Sequence, residues 1–441
     1  MTIPPTDVRE AFAWLDAHVN LETGVGPSRR RIEHPTLDRI RTLVELLGSP
    51  QLEYPAVHLT GTNGKTSATR MVAELLTTVG LSIGAYTSPH LERMNERMTW
   101  NGRPVEDDEL VPILDVLATI EATMTDVPTW FELVTAAALR WFADVAVDAA
   151  AIEVGVGGTW DATNVVDGRV AVVTNVEIDH VQYLGPTRAD IAREKAGIVK
   201  PGATLVLGER DPDLRPLFVD RSPGDVWLRD VDFGIRSERL AHGGRLLDLF
   251  TRGGEHRDVL LPLHGAYQAE NAAIALAAAE AFLDAPLPPD IVREAFLNVR
   301  SPGRLEVVAH QPLVLLDGAH NVAGAHALHA ALAEEFPPGP RTLVVGLLRE
   351  KEPHEMLDAL GVADASRVVC CSPANPRALD ADAVAAAAVE LGVPIDRVDV
   401  VDDVAAAVAY ARDVTPPDAQ VVVAGTLYVV GAARHALVDH P

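Results

Sequence analysis

The stretch YPAVHLTGTNGKTSATRMVAELLTTVG, from Tyr54 to Gly80, joins a short apolar run to an amphipathic helical run through a glycine turn. After the turn, apolar side chains recur at helical spacing, at Ala68, Val72, Leu75, Leu76 and Val79. Backbone N–H groups that converge at glycines, next to the positive N-terminal end of a helix, form an anion site. A strand, such a loop and a helix together predict a nucleotide-binding α/β protein.

Apolar runs alternate with helical runs along most of the chain, which predicts a mainly parallel sheet. LSIGAYTSPHL, DAAAIEVGVGG and GRVAVVTNVEIDH are typical of buried strands with their following loops. After a breaker at Ser301, Pro302 and Gly303, strand-like runs resume in PLVLLDGAHN, RTLVVGLL, SRVVCCSP, DRVDVVDD and AQVVVAGTLYVV. We expect a P-loop α/β ATPase domain at 1–300 and a smaller Rossmann-like α/β domain at 301–441, with a hinge at 301–303.

Composition excludes several classes of function. The formal net charge is −26, from 63 acidic and 37 basic residues, which argues against a nucleic-acid partner because phosphate binding needs a basic surface. No uncharged apolar run of about 18 residues exists, so no membrane partner is expected. The N-terminus lacks an apolar signal core, and the two cysteines, Cys370 and Cys371, are adjacent. The expected location is cytoplasmic.

The loop departs from the common pattern GxxxxGK[ST], because Leu59 stands where that pattern has its first glycine. The nearest earlier glycine is Gly61, so the loop is shorter. Lys65 would place a point charge on the β- and γ-phosphates, and the hydroxyl of Thr66 or Ser67 would help to bind magnesium.

Lysine is rare in this chain. Only four of the 37 basic residues are lysines, namely Lys65, Lys195, Lys200 and Lys351. Each could be chance, or a position where a planar guanidinium cannot replace a compact ammonium or a reactive amine. The count directs attention to Lys65 in the loop and to Lys195.

Polar residues that end predicted strands form a candidate metal site. Ser88 in YTSPH, Glu153 in AIEVG and His180 in EIDH would meet at the carboxyl edge of the sheet. Hard oxygen ligands suit magnesium, and a buried carboxylate such as Glu153 needs a partner. Histidine is less usual for magnesium, so His180 taken alone is as well explained by a hydrogen-bonded structural role.

Nine segments carry a resemblance to a known family. They are GTNGKTS, YTSPHLERMNER, WFELVTAAAL, AIEVGVGGTWDATN, TNVEIDHVQYLG, EKAGIVKPG, SPGRLE, DGAHN and AGTLYVVG. In this order they resemble the folylpolyglutamate synthase/dihydrofolate synthase family of the Mur ligase superfamily, from about His34 to Arg434. The resemblance implies a Mur-ligase-like ATPase domain at the N-terminus.

The resemblance also implies a set of site residues. ATP would be held by Thr62, Asn63, Gly64, Lys65, Thr66, Ser67, Asn271, Arg304 and Asp317. Magnesium, as two ions, would be held by Ser88, Glu153, His180 and Lys195, the last matching a lysine that the family carbamylates. The pterin side would use His34–Leu37, Thr129–Glu132 and Trp160–Ala162, including Phe131, Glu132 and Asp161. His320 and Asn321 would face the incoming amino acid. The catalytic residues would be Lys65, Lys195, Arg304 and His320.

The implied reaction is ATP-driven amide formation through an acyl phosphate, with L-glutamate joined to dihydropteroate or to a reduced folate. We expect a bifunctional enzyme and a monomer. A Mur ligase for UDP-muramoyl peptides is the nearest alternative, but it would need a further domain before the loop, where only about 57 residues stand. A nucleotide-binding protein without catalysis is a second alternative, although Lys65, Glu153, His180 and Lys195 are all present.

The chain departs from the family pattern at several positions. Thr66 replaces the usual glycine of GKGS, and Glu350-Lys351-Glu352 replaces a DKD-like segment. Thr426 stands where serine is common, and the segment around His264 and Tyr267-Gln268 has an unusual spacing. The residue at Trp160 is variable in the family. The first of these departures leaves open which hydroxyl, Thr66 or Ser67, reaches magnesium.

Overall fold

The computed structural model describes residues 7–20, 22, 36–221 and 224–438. Its helices are α1 Val8–Asp16, α2 Asp38–Leu46, α3 Lys65–Thr78, α4 Asp107–Glu121, α5 Trp130–Asp144, α6 Val181–Leu184, α7 Arg188–Lys195, α8 Arg215–Val219, α9 Ala266–Leu283, α10 Pro289–Asn298, α11 Val322–Glu335, α12 Pro353–Ala359, α13 Ala381–Glu390, α14 Val404–Val414 and α15 Leu427–Leu437.

Its strands form three sheets. They are β1 Ala56–Thr60, β2 Ile83–Tyr86, β3 Met98–Trp100, β4 Arg103–Pro104, β5 Ala149–Glu153, β6 Gly168–Val173, β7 Thr204–Leu207, β8 Val226–Leu228, β9 Gly234–Ala241, β10 Gly244–Thr251, β11 Gly254–Leu261, β12 Glu306–His310, β13 Leu313–Leu316, β14 Arg341–Val345, β15 Arg367–Cys370, β16 Val398–Val400 and β17 Gln420–Ala424.

The first sheet has eight strands in the order β4-β3-β2-β5-β1-β6-β7-β8. The parallel part consists of six strands, in the order β2-β5-β1-β6-β7-β8. Strands β3 and β4 extend it at one edge through antiparallel pairs. Central β1 is buried along its whole length between two helical layers, and its two polar side chains, His58 and Thr60, find hydrogen-bond partners in Thr163 and the carbonyl of Gly157. The predicted fold class, a mainly parallel α/β sheet, is confirmed.

The register of this sheet aligns the strand ends that matter for binding. Leu59 in β1 pairs with Glu153, the last residue of β5, and with Val172 near the end of β6. The loop after β1 therefore begins beside the carboxylate of Glu153. Ligands of open α/β sheets bind at this carboxyl edge.

Both faces of the eight-stranded sheet are covered. On one face lie α1, α2, α4 and α5, and on the other lie α3, α9 and α10. Helix α9 is apolar all round, with 13 of its 18 residues buried, because the three-stranded sheet covers its outer side.

That three-stranded sheet, in the order β11-β10-β9, is an antiparallel meander that the sequence patterns above did not predict. Its strands are apolar mainly on the face toward α9, and glycines at 234, 244 and 254 begin the three strands.

The third sheet has the order β12-β13-β17-β14-β15-β16, with only β12 antiparallel. Two apolar clusters cover its faces, one built with α11, α12 and α13, the other with α14 and α15. Strand β13 ends directly before Asp317, so DGAHN lies at the carboxyl edge of this sheet.

No helix in the described part of the chain is long and apolar enough to span a membrane.

A buried ion-pair cluster joins the meander to the C-terminal sheet layer. The side chain of Arg245, in β10, is 2% exposed and lies 2.8 Å from the carboxylate of Glu335, which is also 2% exposed. Glu238 and Glu334 contact the same guanidinium, and Glu335 also accepts from Nδ1 of His264 at 2.9 Å.

Replacing Arg245 with methionine is expected to lower the free energy of unfolding by about 3–5 kcal/mol, because it leaves the carboxylate of Glu335 buried without a guanidinium. Urea unfolding followed by circular dichroism measures the change. The control is Arg239→Met, which breaks an exposed pair with Asp258 and should cost less than about 1 kcal/mol. Equal losses in both variants would contradict the expectation.

Candidate functional site

The phosphate loop runs from the end of β1 to the start of α3, and two of its residues must be glycine. Gly61 and Gly64 have φ angles of 155° and 82°. A Cβ at Gly61 would lie 1.8 Å from Oγ1 of Thr174, and one at Gly64 would lie 2.3 Å from Oδ1 of Asn271. The loop therefore packs directly against the segment after β6 and against α9.

Hydrogen bonds fasten the loop to residues 174–177. The backbone N–H of Asn63 donates to Oδ1 of Asn175 at 3.0 Å, and Oγ1 of Thr174 donates to the carbonyl of Asn63 at 2.6 Å. Oγ1 of Thr62 donates to the carbonyl of Glu177 and accepts from its N–H. The conformation of the loop is thus held by protein contacts alone.

Two of the four lysines meet at one carbonyl of this loop. Nζ of Lys65 donates to the carbonyls of Gly61 at 2.9 Å and Thr62 at 3.1 Å, and Nζ of Lys195 donates to Gly61 at 2.8 Å. Burial lowers the pKa of both amines, and for Lys195 the neighbouring charge of Lys65 adds to the effect. The structure therefore places two buried amines, both with lowered pKa, where phosphate groups would bind.

Hydroxyl and carboxylate oxygens converge beside the lysines. Oγ1 of Thr66 donates to Oε1 of Glu153 at 2.9 Å, and the N–H of Ser88 donates to Oε2 at 3.2 Å. Glu153 is 1% exposed, and burial raises its pKa even though Lys65 opposes the shift. Ser67 faces away, with its Oγ 3.1 Å from that of Ser301. Of the two candidate hydroxyls, only that of Thr66 lies at Glu153.

His180 does not end a strand, so that expectation was wrong. Strand β6 ends at Val173, and His180 lies in the following loop as the N-cap of α6, with a φ of 49°. Burial lowers the pKa of His180 to about 4, so the imidazole is neutral and could act as a metal ligand. Its Nε2 lies 3.9 Å from the carboxylate of Asp179.

The donor set fits a hard cation. Glu153 is a buried carboxylate that forms no ion pair within the described part of the chain. It accepts from the hydroxyl of Thr66 and from the backbone N–H of Ser88. Such oxygen donors with neighbouring phosphate suit magnesium. No cluster of three or more His, Cys, Asp or Glu side chains arranged for a metal occurs in residues that the structure describes, so a metal at Glu153 would also need hydroxyl or phosphate oxygens.

The C-terminal sheet contributes a second wall. Asp317, 5% exposed, accepts from the N–H groups of Leu305 and Ala319, both at 2.8 Å, and from the hydroxyl of Tyr267 at 3.4 Å. Burial raises its pKa, with Arg304 opposing the shift. Arg304 donates to the carbonyl of Gly318 at 3.5 Å. The predicted nucleotide residues Asn271, Arg304 and Asp317 therefore line one cleft with the loop.

Asp179 is the site residue that sequence reasoning missed. Its carboxylate, on a residue 7% exposed, accepts from Nζ of Lys351 at 2.7 Å and from Nδ2 of Asn321 at 3.1 Å, and lies 3.6 Å from Nε2 of His320. Burial alone would raise its pKa, but His180, His320 and Lys351 hold it well below its usual range. The sequence signal that could have pointed to Asp179 is its position directly before His180.

Asn321 also ties the two walls together. Its Nδ2 donates to Oδ1 of Asn63 in the loop at 3.0 Å, while its Oδ1 caps α11 by accepting from Gly324. The ring of His320 is held by the carbonyl of Gly318 at 2.9 Å, and burial lowers its pKa to about 4. A neutral imidazole thus faces Asp179 across the cleft.

On the pterin side, Phe131 and Asp161 lie together against Gly155, where an added Cβ would meet both. Asp161 is buried and accepts from Val156 and Thr163. Glu132 has other partners than this pair. It caps α5 by accepting from the N–H of Thr129, and it forms an ion pair with Arg39 at 3.0 Å. His34 and Pro35 of the predicted segment His34–Leu37 lie outside the described residues.

Comparison with known protein families gives two matches that divide the chain. The Mur ligase middle domain matches residues 59–279, and the Mur ligase glutamate ligase domain matches residues 303–427. The first covers the phosphate loop, the oxygen cluster of Thr66, Ser88 and Glu153, and most of α9, and the second begins at Gly303.

Individual relatives match over nearly the whole length. A dihydrofolate synthase/folylpolyglutamate synthase of Mycobacterium tuberculosis is 40% identical over 437 residues, covering 91% of this chain and 89% of that protein. The structure of Mycobacterium tuberculosis folylpolyglutamate synthase complexed with ADP superposes with a TM-score of 0.90 at 38% identity, covering 98% and 99% of the two chains. An FPGS–AMPPCP–folate complex superposes with a TM-score of 0.83 at 32% identity, covering 98% and 100%. This chain therefore belongs to the dihydrofolate synthase/folylpolyglutamate synthase family of Mur ligases.

Proposed function

We propose that this chain is an ATP-dependent ligase that adds L-glutamate to dihydropteroate and to the γ-carboxylate of reduced folates. One observation carries the proposal: the phosphate loop, the oxygen cluster of Thr66, Ser88 and Glu153, and the cationic and amide groups of the C-terminal sheet meet in a single cleft. ATP binding is supported by the likeness to ADP and AMPPCP complexes, and the acceptor by the folate complex.

In the first step, an oxygen of the acceptor carboxylate attacks the γ-phosphorus of ATP, and ADP leaves with the electrons of the broken P–O bond. Lys65 would leave the carbonyls of Gly61 and Thr62 to meet the β- and γ-phosphates. Magnesium, held by Ser88, Glu153 and His180 with Thr66 supporting Glu153, would offset the phosphate charge. Arg304 would add positive charge from the other wall.

In the second step, the nitrogen of glutamate attacks the acyl carbon, phosphate leaves, and the nitrogen loses protons. The protein's contribution is to hold the amine and to exclude water. His320 and Asn321 would face the incoming amine in this proposal. Asp179, ionised and buried, accepts from Asn321 and Lys351 and lies 3.6 Å from Nε2 of His320, so it would orient them. Asp179 acts here as a positioning residue.

The two-domain division belongs to this proposal. Residues 301–303 lie between α10 and β12, and the chain before and after them builds separate sheets. We propose a hinge at Ser301–Gly303, where Ser301 contacts Ser67 of the loop helix. Closure about it would bring Arg304, His320 and Lys351 onto bound ATP.

The environment of Lys195 supports a carbamate. Its amine is buried, forms no ion pair with any carboxylate in the described residues, and donates only to a neutral carbonyl. Burial lowers its pKa, which favours the neutral amine that reacts with carbon dioxide. The neutral amine and carbon dioxide would form a carbamate and release one proton, and the carbamate would supply anionic oxygens to hold a second magnesium ion.

Replacing Lys195 with alanine is expected to lower kcat by about 100-fold, with partial recovery in formate or acetate, whose carboxylate can replace the carbamate. Lys195→Arg should be equally impaired and not recover, because a guanidinium stays cationic. The control is Lys200→Arg, at a lysine that donates to Asn164 outside the cleft. Full activity of Lys195→Arg would contradict the carbamate, and ¹³CO₂ labelling followed by NMR detects it directly.

The function is tested by phosphate release from ATP and magnesium in the presence of L-glutamate. Release with both 7,8-dihydropteroate and tetrahydrofolate is the expected result for a bifunctional enzyme, and release with one acceptor would make it monofunctional. No glutamate-dependent release with either acceptor would overturn the proposal, and UDP-muramoyl peptides would then be tested.

A further inference from the structure

A buried arginine outside the phosphate site holds a carboxylate of the protein itself. Arg97 is 1% exposed, and its guanidinium donates to both oxygens of Glu22, at 3.0 and 2.5 Å. Its Nε donates to Nδ1 of His90 at 2.9 Å, and the guanidinium lies over the ring of Trp130, 4.7 Å from its centroid. This is a built, bidentate carboxylate site with an aromatic wall.

This carboxylate site of Arg97 lies between the oxygen cluster and the pterin-side residue Phe131. The carbonyl of Arg97 accepts from the N–H of Thr87 at 2.7 Å, next to Ser88 of the oxygen cluster. On its other side, the ring of Tyr86 lies 6.2 Å from that of Phe131, the pterin-side residue. The ring of Trp130, which the guanidinium of Arg97 covers, belongs to the residue directly before Phe131, so Arg97 lies beside both regions.

The bound Glu22 is exchangeable on physical grounds. Its side chain is 24% exposed, whereas Arg97 is buried, so the open side of the guanidinium is the side that Glu22 occupies. Removing a carboxylate from a buried arginine is costly, but replacing it with another carboxylate keeps the charge paired. The backbone carbonyl of Glu22 is held separately, by the hydroxyl of Tyr428 at 3.0 Å and by Arg377.

We propose that Arg97 binds the α-carboxylate of the terminal glutamate of a folyl acceptor, and that Glu22 occupies this position until the acceptor arrives. The inference rests on the proposed function. A folyl acceptor carries this α-carboxylate a few bonds from its reacting γ-carboxylate, whereas dihydropteroate has no such group. Arg97 then contributes to binding of one acceptor class and not of the other.

The test compares three acceptors: tetrahydrofolate, 7,8-dihydropteroate, and a tetrahydrofolate analogue with 4-aminobutyrate in place of glutamate, which keeps the reacting carboxylate and lacks the α-carboxylate. Arg97→Met should raise KM for tetrahydrofolate at least ~10-fold and change the other two KM values less than ~3-fold. The matched control is Arg93→Met, an exposed arginine of the same segment.

Glu22→Gln provides the second measurement, and it does not depend on the stability of the Arg97 variant. A neutral amide competes less well for Arg97, so KM for tetrahydrofolate should fall while KM for dihydropteroate stays constant. If Arg97 only pins the N-terminal segment, both variants lower the melting temperature and impair all three acceptors alike, which would overturn the inference. Arg97→Lys, which keeps the charge without the bidentate fork, replaces Arg97→Met if that protein does not fold.

Failure of this inference is distinguishable from failure of the proposed function. Wild-type turnover with tetrahydrofolate, together with equal effects of Arg97→Met on all three acceptors, overturns the role of Arg97 alone. Wild-type turnover only with dihydropteroate also overturns it, because no folyl acceptor is then used. No glutamate-dependent turnover with any of the three overturns the proposed function itself.

Discussion

Replacing Lys65 with methionine is expected to lower kcat/KM for ATP by about 10⁴-fold, equal to ~5.5 kcal/mol of transition-state stabilisation. Methionine keeps most of the length of the lysine chain and removes its charge together with its N–H donors. In the structure Nζ of Lys65 contacts two loop carbonyls and no carboxylate in the described residues, so its charge is free to move to phosphate. Steady-state phosphate release, with L-glutamate and one acceptor saturating, measures the effect.

Lys65→Arg separates charge from shape at this position. Arginine would place a planar guanidinium where lysine places a compact ammonium between the Gly61 and Thr62 carbonyls, so we expect a loss of at least ~100-fold despite the retained charge. Lys200→Met serves as the control for loss of a lysine elsewhere. A Lys65→Met enzyme within tenfold of wild type would show that Lys65 does not stabilise the transferred phosphate.

Replacing Glu153 with glutamine is expected to lower kcat by about 10³-fold, or ~4 kcal/mol, because the amide keeps the shape of the side chain and loses the anionic oxygen. Little stability should be lost. Burial raises the pKa of Glu153, which means that the folded protein disfavours the ionised side chain when no cation is bound. The melting temperature without magnesium should therefore stay constant or rise.

Magnesium titration gives the distinguishing measurement for Glu153. Magnesium with AMPPCP should raise the melting temperature of wild type, by mass action, and should raise that of Glu153→Gln much less. Glu177→Gln is the matched control, since Glu177 is half-buried nearby and contacts the loop only through its backbone. Equal magnesium stabilisation of both proteins would exclude Glu153 as a metal ligand.

Much of the candidate site could be predicted because its residues lie in local patterns. The glycines and Lys65 follow a buried strand and begin a helix, and Glu153 ends another buried strand; both relations depend only on neighbouring residues. His180 was placed incorrectly at a strand end because the polar run TNVEIDH gives no signal for where β6 stops. Pairing with β1 ends that strand at Val173.

Other parts could not be predicted because distant segments create them. Asp179 becomes a site residue only when Asn321 and Lys351, more than a hundred residues away, donate to it. In the structure, helix α3 points the hydroxyl of Thr66 at Glu153 and the hydroxyl of Ser67 at Ser301. The sequence alone does not show which of the two hydroxyls faces the carboxylate. Glu132, predicted for substrate, forms a helix cap and an ion pair with Arg39, a use that the motif does not reveal.

The sequence by itself determined the α/β class, the phosphate loop and the family, because periodicity, glycine spacing and ordered motifs are local properties of the chain. Only the tertiary structure decided how charges are paired. Lys195 faces a neutral carbonyl, Lys351 faces Asp179, and Arg97 holds Glu22. Charge pairing depends on distances of a few ångströms between segments far apart in the chain, and the packing of the sheets sets those distances.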